Sequence, residues 1–228
     1  MKNIALAIAL LLFIGIGVVQ AQDESVNVAM KHNREGAELL SQGNMDDALE
    51  EFQKAVELNP KDPVAQRNVA YVLDRQGKVE EAIDAYKQAI ELDPKNLLAY
   101  NNLGVLYDKE GKYDEAIWQL ENALSVNPSD PTTLKNLENA KKSKAVMQER
   151  ENQLAALRRE VDIQPENALA LYKLGRLYAF FDRKEEALEW LGKALEHGYD
   201  DEHNLKTDPA LDKLREDARF MDLLSKYQ

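Results

Sequence analysis

A chain of 228 residues carries 29 Lys and Arg against 41 Asp and Glu, a formal net charge of −12, with no cysteine and no basic stripe. That balance repels a phosphate backbone, so nucleic-acid binding is set aside and the acidity reads as solubility. The missing cysteine removes disulfide staples, a thiol nucleophile and lipid attachment at a leader cysteine together.

The first 21 residues read as a secretory signal peptide. Lys2 makes a short basic start, Ile4–Val19 is apolar, and Val19-Gln20-Ala21 resembles a small-residue cleavage site. The apolar run of 16 residues is shorter than the roughly 20 that span a bilayer. The expectation is export: periplasmic in a Gram-negative cell, otherwise secreted or held by an uncleaved segment, which is the one route to membrane contact. Residues 22–28 are polar and read as a flexible lead-in.

From Ala29 the chain repeats every 34 residues, as 29–62, 63–96 and 97–130. In Leu97–Asp130, Tyr100, Leu103, Gly104 and Tyr107 share one face of a first helix. Glu110-Gly111-Lys112 ends it, and a second helix turns Ala116, Ile117, Leu120, Ala123 and Leu124 inward before Asn127-Pro128. Ala70, Gly77, Ala82, Tyr86, Ala89 and Pro94 align with that pattern without a gap, as do Gly36, Gly43, Ala48, Phe52, Ala55 and Pro60. Residues 168–201 restore it with Gly175, Ala187, Leu191 and Ala194, although Asp182 stands where the others have the turn glycine. The small eighth residue of each unit reads as core, where helices cross closely.

Between them, 131–167 is three residues over the period and has no Gly or Pro from Thr132 to Gln164. It keeps Leu134 and Leu137, then Leu154, Leu157, Val161 and Ile163. One reading is a degenerate hairpin reversing near Lys144–Gln148, the other a continuous helix. The three extra residues and the return to register at Pro165 favour the hairpin. After Asp201, Thr207-Asp208-Pro209 starts a helix whose stripe of Leu211, Leu214, Phe220, Leu223 and Leu224 reads as a cap over the last repeat, within 202–228.

The period and its small/large pattern resemble the tetratricopeptide repeat. The resemblance implies an all-α fold, a right-handed α-solenoid of helical hairpins closed by a C-terminal capping helix. It also implies a non-catalytic protein–protein interaction scaffold that takes an extended peptide in a concave groove. The alternative is a structural or assembly subunit of a cell-envelope complex. In this family the first helix of each repeat lines the groove, with ligand contacts at its second, fifth, sixth, ninth, twelfth and thirteenth positions. The sixth position holds Asn68, Asn102 and Asn136 at 34-residue intervals. An amide offers a donor and an acceptor to any peptide backbone. The string from Ala99 to Ile117 also resembles repeats of O-linked N-acetylglucosamine transferases, where such a ladder holds peptides; the transferase domain has no counterpart here. Side-chain pockets are expected from Arg67, Tyr71, Arg75, Asn101, Val105, Asp108, Tyr172 and Arg176. A two-carboxylate clamp for chaperone tails is incomplete: Asn33 and Ala37 replace its Lys and Asn, and Leu98 and Asn102 occupy its later cationic positions.

No reaction chemistry stands out. There is no nucleophile motif, and His32, His197 and His203 lack metal-site spacing. The pairs Glu50/Glu51, Glu80/Glu81, Asp114/Glu115 and Glu185/Glu186 sit where second helices begin, and read as offsets of the helix dipole. The expectation is a non-enzyme with no cofactor, no metal and no small-molecule substrate, whose partner is another protein.

Overall fold

The last residue of each unit starts the next one. Asp62 accepts from the Val64 N–H at 2.9 Å, Asn96 from Ala99 at 3.1 Å, Asp130 from Thr133 at 2.7 Å and Asn167 from Ala170 at 3.1 Å. Each side chain satisfies one of the orphan donors at a helix start. The computed structural model describes residues 24–226; the leader 1–21 lies outside the described residues.

The elements are α1 (24–41), α2 (Met45–Leu58), α3 (Pro63–Arg75), α4 (Val79–Leu92), α5 (Leu97–Lys109), α6 (Tyr113–Val126), α7 (Pro131–Ile163), α8 (Ala168–Phe180), α9 (Lys184–Glu196), α10 (Glu202–Thr207), a 3-10 turn (Pro209–Leu214) and α11 (Ala218–Lys226). No strand occurs among the described residues. The chain divides between Lys144 and Ala145 into two compact units, each with its own core. One core gathers Phe52, Tyr86, Leu103 and Leu120; the other gathers Leu171, Leu174, Leu191 and Phe220.

Within a hairpin the approach is close. A Cβ on Gly104 would stand 2.6 Å from Leu120 Cγ, so the eighth position must be small. Between helices, Gly111 takes φ +72°, which glycine adopts freely. Asp182 takes φ +58° at the same place, the only non-glycine residue with positive φ among those described. The second helices begin at Asn44, Lys78, Lys112 and Arg183 with no side-chain cap, and carry Asp46/Asp47, Glu80/Glu81, Asp114/Glu115 and Glu185/Glu186 in their first turns. In the first repeat the dipole partners are therefore Asp46 and Asp47, not Glu50 and Glu51. Glu51 instead receives Lys54 at 2.8 Å and pairs with His32 at 2.5 Å.

Three further expectations are corrected. Residues 24–28 are not a flexible lead-in but the first turns of α1. No glycine or proline interrupts 22–35, and acidic residues suit a helix start. The C-terminal cap is not one helix: α10, the 3-10 turn and α11 are separate, with Asp208 capping the turn and a break at Arg215–Asp217. Leu211, Leu214 and Phe220 are nonetheless buried as the stripe requires.

The third correction is α7, a single helix of 33 residues rather than a hairpin. Its first half buries Thr133 and Ala140, and its second half packs Leu154, Leu157 and Val161 into the core of 145–226. Counting forward from Pro131 and back from Pro165, a hairpin would press Glu138 and Lys141 against Gln153, Leu157 and Glu160. In α5 and α6 the matching sites are Gly104, Tyr107, Ala116, Leu120 and Ala123, all buried. Glu138, Lys141, Gln153 and Glu160 are exposed on α7. Closing the hairpin would bury these polar groups, which costs more than a straight solvated helix.

Candidate peptide-binding face

The second, sixth and ninth positions of a first helix follow steps of four and three residues, so they share one side. On α3 this side presents Val64, Asn68 and Tyr71; on α5 it presents Leu98, Asn102 and Val105. All six are partly or fully exposed. These residues belong to one unit, and Asn68, Tyr71, Asn102 and Val105 among them are residues expected from the sequence.

The amides are wired between repeats rather than idle. Asn68 Nδ2 donates to Asn33 Oδ1 at 2.8 Å, and Asn136 Nδ2 donates to Asn101 Oδ1 at 3.0 Å. Each bond runs from a sixth position to the fifth position of the repeat before it. Arg67 stands at the fifth position of α3 and instead donates to Asn68 Oδ1 at 3.0 Å. Burial holds the Arg67 guanidinium below its ordinary value, though it stays charged. Asn101 is 6 % exposed, so it is a joint between α5 and α7 and not a groove contact. Asn102 accepts from Asn101 at 3.5 Å. Beneath it the Tyr86 hydroxyl is buried without a hydrogen-bond partner, although Asn102 is near enough to influence its ionisation. Burial, with Asp74 adding to it, raises the Tyr86 pKa. At the helix ends, Arg75 is exposed and Asp108 half-buried, with Asp108 Oδ1 unpaired. Lys109 reaches back to Asp74 at 3.1 Å, a third bond joining successive first helices.

Tyr172 and Arg176 lie in the other unit and are occupied. Tyr172 is 4 % exposed, stacks on Tyr199 at 4.2 Å between ring centres, and donates its hydroxyl to Asp208 at 3.0 Å. Arg176 also pairs with Asp208. Burial would raise the Asp208 carboxyl, but the Ala210 N–H, Arg176 and Tyr172 together hold it below the usual carboxylate range. The capping turn thus buries Tyr172 and engages Arg176 through Asp208, while the Arg176 side chain stays 40% exposed. The sequence alone does not reveal this, because the fifth and ninth positions of a last repeat face a cap that the repeat pattern does not describe.

Met30, Val64 and Leu98 also belong to this face. They form the second-position row, visible in the sequence at the same 34-residue spacing but absent from the expected pocket residues. His32 is less isolated than its spacing suggests: its ligating atom and those of Glu35 and Glu51 lie within 4.8 Å of one another. Hydrogen bonds from Lys54 and His32 hold Glu51 below its ordinary pKa, so that carboxylate is already occupied.

Repeat models match most of the repetitive sequence. The TPR repeat matches residues 36–77 and 70–111, and the tetratricopeptide repeat matches 98–130 and 168–196. The chain belongs to the tetratricopeptide-repeat family. A comparison with curated proteins gives no match. Among solved structures, the first TPR domain of human RPAP3 is similar at 23% identity and TM-score 0.52, covering 54% of this chain and 96% of that one. The first TPR of Spaghetti (RPAP3), described as bound to an HSP90 peptide, is similar at 23% identity and TM-score 0.51, covering 53% of this chain and 98% of that one. The Sgt2 TPR domain from Aspergillus fumigatus is similar at 20% identity and TM-score 0.51, covering 53% and 82%. At these identities the likeness establishes the fold, an all-α array of helical hairpins, and the family is one of protein-interaction modules.

Proposed function

We propose that this tetratricopeptide-repeat chain is a non-catalytic scaffold that binds an extended peptide segment of a partner protein across the first-helix face of residues 24–144. The observation that supports this most is the division of labour on α3 and α5. Ala65, Ala70, Val72, Ala99, Leu103 and Leu106 are spent on packing, while Asn68, Tyr71, Asn102 and Val105 face away from it. A peptide held there by bonds worth about 1 kcal/mol each is bound weakly by amides alone, so side-chain contacts must supply the rest. The HSP90 peptide is the ligand of the Spaghetti domain; the incomplete clamp at Asn33, Ala37 and Leu98 argues against a chaperone tail here. With the leader reading, the scaffold would work outside the cytoplasm.

The test is crosslinking capture from the cell envelope with residues 22–228, with affinity then measured on the captured partner. Asn68→Ala with Asn102→Ala is expected to weaken binding about tenfold or more, since 1.4 kcal/mol is one decade. Unchanged affinity in the double variant overturns the reading.

A further inference from the structure

The first repeat departs from the others at three positions that lie together. Its fourth, seventh and twenty-third residues are His32, Glu35 and Glu51. The second repeat has Gln66, Val69 and Ala85 there, and the third has Tyr100, Leu103 and Gln119. All of these later residues except Tyr100 are buried, so the positions serve packing inside the array. No repeat precedes α1 among the described residues, and an end repeat needs a polar outer face. That need is met by any mixture of charged and amide side chains. It gives no reason for an imidazole and two carboxylates to converge.

The convergence is close. His32 Nδ1 stands 2.5 Å from Glu51 Oε2 and 3.8 Å from Glu35 Oε2. The three ligating atoms lie within 4.8 Å of one another. His32 and Glu35 are one turn apart on α1 and Glu51 comes across from α2, so spacing within α1 does not show the cluster. Each carboxylate divides its oxygens. Glu35 turns Oε1 to Lys31 at 3.4 Å, and Glu51 turns Oε1 to Lys54 at 2.8 Å. Lys54 also pairs with Glu50 at 2.7 Å. Both Oε2 atoms are left to the imidazole, whose Nδ1 carries one proton at most and can serve only one of them.

Four-coordinate zinc holds nitrogen and oxygen at about 2.0–2.2 Å, which sets its ligands about 3.3 Å apart. The 2.5 Å and 3.8 Å separations bracket that spacing. One imidazole with two carboxylates suits zinc, whereas magnesium and calcium take shells of six or more ligands made of oxygen. The His32, Glu51 and Glu35 side chains are 24%, 17% and 42% exposed, which leaves an entry path and room for a water as fourth ligand. Lys31 and Lys54 on the outer oxygens would orient the carboxylates from behind.

We propose that His32, Glu35 and Glu51 form a three-ligand zinc site that ties α1 to α2 at the start of the array. The neutral imidazole binds through Nδ1 with its proton on Nε2. The ion takes the place of the His32–Glu51 hydrogen bond. Its role is structural, and the site stands independently of the peptide-binding reading.

The test is calorimetric titration of zinc into untagged, chelator-treated residues 22–228. One equivalent is expected to bind, at least tenfold tighter than magnesium or calcium. Zinc should also raise the thermal midpoint and slow amide exchange in α1 and α2, leaving 145–226 unchanged. His32→Ala and Glu51→Gln should each weaken zinc at least tenfold and abolish the midpoint rise, and Glu35→Gln should weaken it several-fold. His203→Ala, which removes the imidazole beside Asp200, Asp201 and Glu202, should change nothing. Circular dichroism of the metal-free variants separates loss of the site from loss of the fold. If His32→Ala loses helix, His32→Gln, which restores the amide found at Gln66, is measured in its place. Absence of stoichiometric zinc binding overturns the proposal. So does binding that the His32 variant leaves unchanged or that magnesium matches, since either marks surface carboxylates alone.

Discussion

Asp182 does with a side chain what Gly43, Gly77 and Gly111 do without one. All four end a first helix with positive φ, +58° for Asp182 and +86°, +75° and +72° for the glycines. Left-handed backbone costs an L-residue about 1–2 kcal/mol, less for Asp, whose short polar side chain bonds locally. Lys213 pairs with the Asp182 carboxylate at 3.2 Å, but both side chains are more than half exposed and the pair contributes little. Asp182→Gly is therefore expected to stabilise the fold by about 0.5–1 kcal/mol, read as a higher urea midpoint. At this scale the sequence is transparent for the core. Gly104 needs Leu120 opposite it, and both are readable from the period alone. It is opaque for the amides, because the Asn68 bond to Asn33 depends on how two helices pack and not on spacing within either.

Among the elements, the C-terminal turn shows how a single carboxylate holds a cap in place. Asp208 takes the Ala210 N–H at 2.9 Å, the Tyr172 hydroxyl at 3.0 Å and the Arg176 guanidinium. Its folded pKa lies below the unfolded one, near 3.9 for Asp, so its stabilisation is complete above that value. It is lost as pH falls through the lower folded value. Amide exchange across 209–226, corrected for intrinsic rates, should accelerate in acid below about pH 4. Asp208→Asn should show the same acceleration at neutral pH and flatten the acid dependence. The stripe of Leu211, Leu214 and Phe220 makes the cap visible in the sequence. Its break at Arg215–Asp217 is not visible there, since no Gly or Pro marks it. For α7 the signal is present but outweighed by length. Glu138 and Lys141 occupy positions that a closed hairpin must bury, and polarity there is better evidence than the three-residue excess.

At the scale of the whole molecule, each of the two units is organised round its own set of buried residues. The candidate face belongs wholly to the first, through α1, α3 and α5. The second unit's equivalent residues, Tyr172 and Arg176, serve the cap. Repeat position alone groups the two sets together, because the positions are identical. What separates them is the segment after Asp201, whose fold no repeat predicts.

The capping side chains at the unit boundaries have a consequence for how such an array changes length. Asp62, Asn96 and Asp130 each close one unit and begin the next helix, so the parts are interchangeable at their seams. Excising Pro63–Asn96 would leave Asp62 directly before Leu97, with an equivalent cap and the same register. That shortened chain is expected to remain helical by circular dichroism and to unfold cooperatively at lower urea. Excising one residue fewer leaves Asn96 between Asp62 and Leu97, which lengthens the link from Pro60 to α5 by one residue and should weaken the junction further. Loss of this unit is thus expected to leave a foldable array while removing Asn68 and Tyr71 from the proposed face.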